Sequence, residues 1–209
     1  MNQESITLGM GCFWSPDALF GHLPGVSRTR VGYAGGSTSN PTYREMGDHT
    51  ETVEIDFDQD IISVEDILNV FWNHHNPVNI NDYKGRQYMS LLLYHDEKQR
   101  ERMVEVIEKR TSENHKGETL TLIAPYEGLH LAEDHHQKYY LKRYPDAYGK
   151  LNILYPNHND LVNSTLAARL NGLAKGYTNL ERITKEIQQW PMNVTNQKMM
   201  TDSIRNMRW

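Results

Sequence analysis

The chain has 209 residues with 38% hydrophobic and 23% charged content, a net charge of −5 and a single cysteine. That composition is globular, long enough for a sizeable core, and without the basic excess of a nucleic-acid-binding domain. No apolar run reaches the length of a membrane span, the N-terminus has no leader pattern, and one cysteine closes no internal disulfide, so a soluble cytoplasmic protein is expected.

Residues 5–9, SITLG, predict a short buried strand that leads into GMGCFWSPD at 9–17. Ser15, Pro16 and Asp17 read as a helix start: a hydroxyl cap, proline in the first turn, and an acid at the positive end. Leu23-Pro24-Gly25 stops that helix. Residues 26–33 predict a strand that ends at the glycine-rich turn AGGSTSNP. In TVEIDFD, residues 52–58, Val53, Ile55 and Phe57 alternate with Glu54, Asp56 and Asp58, which predicts a half-buried strand. Ser63 to Asp66 form a capping box, and Val64, Ile67, Leu68, Phe71 and Trp72 share one face of the helix that follows. Residues 88–94 predict a central strand, Asp96 caps a charged helix to about Thr111, and residues 119–124 predict a further strand. Residues 132–144 read as a helix ended by Pro145. The succession predicts an α+β fold, a two-layer α/β sandwich with a mixed sheet flanked by helices. The composition shifts after about residue 150. Residues 163–190 predict one or two helices stopped by Pro191, and the amide- and Met-rich tail predicts an end that frays. The expected organisation is a main domain at 1–150 and a helical C-terminal extension at 151–209 packed on it.

Cys12 sits just ahead of a predicted helix N-terminus, where the helix dipole and unpaired N–H groups favour an anion, so a lowered pKa is expected. Phe13 and Trp14 beside it suggest an apolar wall. Buried single cysteines are commonly inert packing, and position alone divides Cys12 evenly between packing and chemistry.

Further blocks of sequence bear on that choice. GCFW at 11–14, GYAGGSTSNPTYRE at 32–45, HTETVEIDFD at 49–58, NDYKGRQYMS at 81–90 and AEDHHQKYY at 132–140 occur in one order along the chain. Together they resemble the A-type peptide methionine sulfoxide reductases over residues 6–145. The resemblance implies a catalytic reductase domain in which the Cys12 thiolate attacks the sulfur of methionine-S-sulfoxide, releases methionine and is left as a sulfenic acid, a reversible oxidation state of cysteine. It makes Glu51 the proton donor, kept protonated by burial. It makes Tyr33 and Tyr88 hydroxyl donors to the sulfoxide oxygen, and Asp82 the residue that holds a site water. Phe13 and Trp14 become the methyl pocket, and His136 supports it.

Many members of that family carry further cysteines that resolve the sulfenic acid as a disulfide. These 209 residues hold none, and REMGDHTE lacks the cysteine usual in its block. The chain therefore resembles the one-cysteine members. The expected reductant is an external thiol, either thioredoxin, glutaredoxin with glutathione, or dithiothreitol in vitro. No bound cofactor and no metal are expected, because adjacent histidines such as His74-His75 and His135-His136 do not share a helix face. Expected partners are proteins containing methionine sulfoxide or the free sulfoxide, with neither nucleic acid nor membrane, and the expected state is a monomer. The competing readings are a one-cysteine thiol peroxidase, which needs no methyl pocket, and a non-catalytic module that clasps or senses oxidised methionine.

Overall fold

The computed structural model describes residues 2–80, 82, 85–112 and 120–209. Six strands form one open sheet: β1 (Gln3–Met10), β2 (Val26–Ala34), β3 (Thr50–Asp58), β4 (Ser90–Tyr94), β5 (Leu122–Pro125) and β6 (His130–Leu131). Their order is β5-β4-β1-β3-β2-β6. Only β4 and β5 run parallel, so the sheet is mixed. Helices α1 (Trp14–Gly21), α2 (Val64–Asn73) and α3 (Glu97–Ser112) cover one face. Ile6, Leu8, Val31, Val53, Ile55 and Leu92 meet Phe20, Leu68, Phe71 and Met103 there in the main core. The opposite face holds a smaller cluster around Leu91 and Leu93, packed by Tyr126 and Leu129. This is the expected α+β sandwich. No described helix is long and apolar enough to cross a membrane.

Several elements follow their sequence signals closely. Ser63 and Asp66 close a reciprocal capping box on α2, whose buried residues are Val64, Ile67, Leu68, Phe71 and Trp72. Asp96 accepts the Gln99 N–H at 2.7 Å at the start of α3. The predicted strand at 119–124 is β5 from Leu122, and Thr119 lies outside the described residues. Strand β3 departs from its expected half-burial, because only Asp56 among its nine residues is not buried. It lies between β1 and β2, and the polar side of Glu54 is covered by Arg30 and by the Tyr126 hydroxyl. Alternation marks which side is apolar; it does not reveal that the polar side is covered as well.

The helix expected over 132–144 is broken. A 3₁₀ turn at Asp134–His136 is followed by Lys138 at φ 52°, and only then by α4 (Tyr139–Lys142). Two side chains that turn into the protein explain the break. The Gln137 amide accepts from Val31 N–H at 3.1 Å and donates to Val31 C=O at 2.8 Å, standing in for a strand neighbour of β2. Lys138 is fully buried, and its ammonium donates to Asp17 at 2.8 Å and to Thr29 C=O at 2.7 Å.

Asp17 stands in the first turn of α1 as expected, but the Ser15 cap does not form. Helix α1 begins at Trp14 without a side-chain cap, and the Ser15 hydroxyl instead meets the Tyr140 hydroxyl at 3.1 Å. The buried Asp17 carboxylate accepts from Thr29 Oγ1 (2.6 Å), Lys138 Nζ (2.8 Å), Lys138 N (3.1 Å) and Asn171 Nδ2 (3.2 Å).

Residues beyond α4 form α5 (Pro145–Leu154), α6 (His158–Val162), α7 (Thr165–Lys175), α8 (Leu180–Ile187) and α9 (Val194–Arg205). Leu141, Leu151, Leu161, Leu170, Ile183 and Ile204 build a second apolar core between these helices. The tail does not fray: Asn193 caps α9, and Ile204 and Met207 are buried. Helix α7 lies directly on α1. A Cβ at Gly172 would stand 2.5 Å from His22 Cβ and 3.0 Å from Ala18 O, so only glycine permits the approach. Arg169 fastens the contact, donating from Nη1 to Gly21 C=O at 2.6 Å while its other nitrogens pair with Glu186.

Removing one partner from a buried ion pair leaves an uncompensated charge, which costs roughly 3–5 kcal/mol. Lys138→Met is expected to lower unfolding stability by about that much in a urea titration, and Asp17→Asn in the Lys138→Met background should recover part of the loss.

Candidate active site

The site is assembled where β1 ends. Gly11 takes φ +96° to turn the chain, and a Cβ there would lie 2.7 Å from the Ile80 side chain. Cys12 follows, half-buried, and α1 starts two residues later. The next two residues come from neighbouring strands. Tyr33 of β2 and Glu51 of β3 are direct partners in the antiparallel ladder, so their side chains emerge side by side on the helix-covered face.

Glu51 is 1% exposed. Its Oε2 accepts from Phe13 N–H at 3.1 Å and its Oε1 from Gln87 Nε2 at 2.9 Å. Burial raises its carboxyl pKa above the ordinary value, and the bonds from Gln87, Phe13 and Tyr88 take back part of the rise. The backbone of the Cys12 turn is thus tied to the acid by a hydrogen bond.

The Cys12 thiol reverses the expected shift. Burial pushes it up to about 11, the Trp14 N–H offsets a part, and the nearby Glu51 charge adds to the rise. Desolvation outweighs the N-terminus of an eight-residue helix here, so the resting thiol keeps its proton.

Tyr33 donates its hydroxyl to Glu133 Oε2 at 2.6 Å, and Glu133 Oε1 accepts from Tyr43 N–H at 3.0 Å. Tyr88, in a 3₁₀ turn at Arg86–Tyr88 ahead of β4, contacts Tyr43 and Glu51. Burial raises both phenols, chiefly by desolvation, so each keeps the proton it would donate. An aromatic wall borders these groups. Phe13 lies 5.2 Å from the His136 ring and 5.9 Å from Tyr33. Trp14 stacks on Tyr139 at 3.7 Å and donates from Nε1 to His136 Nδ1 at 3.0 Å. That bond makes Nδ1 the acceptor, so the His136 proton sits on Nε2, in keeping with a pKa lowered by burial. Tyr43, 45% exposed, covers the other side of His136 at 5.1 Å.

Cys12, Phe13, Trp14, Tyr33, Glu51, Tyr88 and His136 are therefore connected through one set of contacts. Asp82 is not joined to this set by its hydrogen bonds. It is exposed at φ +61°, its N–H donates to Asn79 Oδ1 at 2.7 Å, and its carboxylate accepts from Asn79 Nδ2 at 2.9 Å. Its neighbours Asn81, Tyr83 and Lys84 lie outside the described residues. Among the described residues no three His, Cys, Asp or Glu side chains gather as a metal set. Sequence reasoning assigned no part to Gln87, Glu133 or Tyr43. All three fall within the quoted blocks, but only tertiary contacts show that Gln87 bonds Glu51 and that Glu133 holds Tyr33.

A sequence model of the peptide methionine sulfoxide reductases matches residues 4–168, most of the chain. The chain belongs to the peptide methionine sulfoxide reductase family. It is 40% identical over 199 residues to the peptide methionine sulfoxide reductase of Drosophila melanogaster, covering 95% of this chain and 79% of that one. A peptide methionine sulfoxide reductase MsrA of Natronomonas pharaonis is 40% identical over 153 residues, or 69% and 86% of the two chains. Among solved structures, methionine sulfoxide reductase A of Corynebacterium diphtheriae superposes with a TM-score of 0.62 at 32% identity, covering 69% of this chain and 76% of that one. Reduced Mxr1 of Saccharomyces cerevisiae shares the fold at 24% identity and a TM-score of 0.58, over 69% and 87% of the two chains. The reductase family model stops inside α7, whereas the Drosophila match runs on through most of the extension.

Removing the Glu51 charge takes away one cause of the raised Cys12 pKa. In Glu51→Gln the midpoint of iodoacetamide alkylation against pH should fall below that measured for the wild type. An unchanged or higher midpoint would show that Glu51 does not act on the thiol.

Proposed function

We propose that this family member reduces methionine-S-sulfoxide, free or protein-bound, with Cys12 as nucleophile and Glu51 as the acid that protonates the departing oxygen. One observation carries the reading: the buried Glu51 carboxyl is bonded to the backbone of the Cys12 turn and its pKa is raised. An acid in that state holds a proton where a sulfoxide oxygen would arrive beside Cys12.

In this reading the substrate methyl packs on Phe13 and Trp14, with His136 behind them, and its oxygen points toward Glu51, Tyr88 and Tyr33, whose hydroxyl turns from Glu133 to the oxygen when substrate binds. Phenols that keep their protons are suited to stabilise negative charge growing on that oxygen. A lone pair of Cys12 Sγ attacks the substrate sulfur and forms an Sγ–S bond while the oxygen takes a proton. The hydroxyl then passes from the substrate sulfur to Sγ as the Sγ–S bond breaks, its electron pair staying with methionine, which leaves Cys12 as the sulfenic acid. The substrate sulfur gains two electrons and Cys12 loses two. The thiol proton accounts for the proton on the product hydroxyl, so Glu51 acts as a shuttle: it gives a proton to oxygen and regains one from the thiol. This suits a cysteine that starts protonated. A single geometry for methyl, oxygen and sulfur accommodates one hand of the sulfoxide. Asp82 would hold a site water. No bound cofactor is required.

Return to the thiol then needs an external thiol, since these 209 residues hold no second cysteine. Yeast Mxr1, which shares the fold, has also been solved in complex with Trx2, and this makes a thioredoxin-type protein one candidate beside glutaredoxin and glutathione. We read residues 1–150 as the reductase unit, residues 151–209 as an extension packed on it, and the protein as a cytoplasmic monomer acting in repair of oxidised proteins.

With dithiothreitol as reductant, the S epimer of a methionine sulfoxide peptide should turn over and the R epimer should not; equal turnover of both, or none, overturns the assignment. Cys12→Ser should abolish turnover. One equivalent of substrate should add one oxygen to Cys12 without a disulfide, read by mass spectrometry. General acid catalysis contributes about 10²–10⁴-fold, so Glu51→Gln should slow the single-turnover reduction step on that order while leaving substrate affinity in place.

A further inference from the structure

Cys12 borders a second space. A recess of about 370 Å³ opens beside it between the N-terminus of α1, the turn after α2 and the turn after α7. None of Phe13, Trp14, Tyr33, Glu51 or His136 lines this recess, so among the proposed site residues Cys12 alone faces both spaces. The volume lies in the ordinary range for a small-ligand site.

The walls are fixed. Tyr177 closes the far side, held by a bond from its N–H to Gly172 C=O at 2.9 Å and by stacking of its ring on His22 at 5.6 Å. The near wall is the turn that carries His74, Asn76 and Asn79. His74 Nδ1 is hydrogen-bonded to Val70 C=O at 2.7 Å. Lys175 acts electrostatically on Tyr177 and lies 4.6 Å from the Tyr140 ring, which sets a positive charge near that wall. Among the described residues the lining sets Ser15, His74, Asn76 and Asn79 beside Met10, Leu19 and Ile80 and holds no Asp or Glu, which suits a small molecule with polar groups and a short apolar body.

We propose that this recess receives a low-molecular-mass thiol of about tripeptide size, which returns oxidised Cys12 to its thiol. The inference rests on the sulfenic-acid reading above and deepens it. In that reading the oxygen reaches Cys12 from the side of Glu51 and the tyrosines, so the S–O bond points there. A thiolate displacing that oxygen attacks Sγ in line from the side away from it, and the recess, which borders Cys12 and shares none of those other residues, offers such an approach. The attack forms an S–S bond to Cys12 and breaks S–O, and the oxygen leaves as water after taking a proton. A second thiol attacks the sulfur of the bound thiol in this mixed disulfide, so that Cys12 leaves as thiolate and is protonated. The sum is Cys12 sulfenic acid plus two thiols giving Cys12 thiol, one small disulfide and one water. Two electrons pass from the thiols to Cys12.

Glutathione is the probe. Cys12 sulfenic acid is prepared by one equivalent of methionine-S-sulfoxide and, separately, by hydrogen peroxide, then mixed with increasing glutathione while its loss is followed. The rate should saturate with glutathione in the wild type. Asn76→Trp, which fills the recess, and Tyr177→Ala, which removes its far wall, should each lower the rate at subsaturating glutathione on the order of tenfold. Formation of the sulfenic acid from sulfoxide should be unchanged in both, which also shows that they fold. A rate that rises linearly with glutathione and is untouched by both variants overturns the proposal. So does recycling by thioredoxin with its reductase and NADPH that outpaces glutathione and is lost in Asn76→Trp, because the recess then seats a protein. Sulfenic acid obtained from peroxide but not from sulfoxide sinks the reductase reading instead, and the glutathione measurement still decides the recess.

Discussion

Four parts of the chain converge on the carboxylate of Asp17. It sits in the first turn of α1 and holds Thr29 of β2, both ends of Lys138, and Asn171 of α7. The four donors come from three other parts of the chain, so the buried carboxylate fixes how the Cys12 turn, the sheet, the segment after His136 and α7 meet. A buried carboxylate is tolerated only when its acceptor sites are filled, and here they are filled by groups that must all be in place at once. The left-handed backbone at Lys138 follows from this demand. It lets the ammonium reach Asp17 while Gln137, one residue earlier, completes the bonding of β2.

A second buried carboxylate, Glu51, has a different character because its partners are weaker donors. Backbone and amide N–H groups bind it and burial raises its pKa, whereas Asp17 is paired with Lys138. The contrast divides the two acids by task. Asp17 holds the elements together through Lys138, Thr29 and Asn171. Glu51, whose pKa burial raises, is bonded to the backbone of the Cys12 turn. The raised thiol pKa has the same first cause, burial.

Elements whose signal is local were legible in the sequence. The capping box and apolar face of α2 depend only on residues 63–72 and appear as read. The motifs that brought Cys12, Glu51, Tyr33, Tyr88 and His136 under suspicion also placed them in one connected cluster. Long-range contacts were not legible. Ser15 looks like a helix cap but meets Tyr140, far along the chain. Residues 132–144 look helical, yet Gln137 and Lys138 are drawn inward by β2 and α1. The expected drop in the Cys12 pKa weighed the helix end and omitted burial, which depends on residues from every side. The tail looked polar and loose because its buried apolar residues, Ile204 and Met207, are few and find their partners in α5 to α8.

The close seating of α7 on α1 has a mechanical consequence. Helix α1 is eight residues long, about 12 Å, with the Cys12 turn at one end and Gly21 at the other. At that far end the two helices are separated by little more than the hydrogen atoms of Gly172, and Arg169 clamps Gly21 from the same side. A short, stiff rod held this tightly at one end behaves as a lever. A displacement imposed by one added methyl at position 172 would tilt the rod and be delivered at the cysteine, a full helix length away. The seating of α7 therefore sets the angle at which Cys12 is presented, although the helix supplies no residue to the set around Glu51.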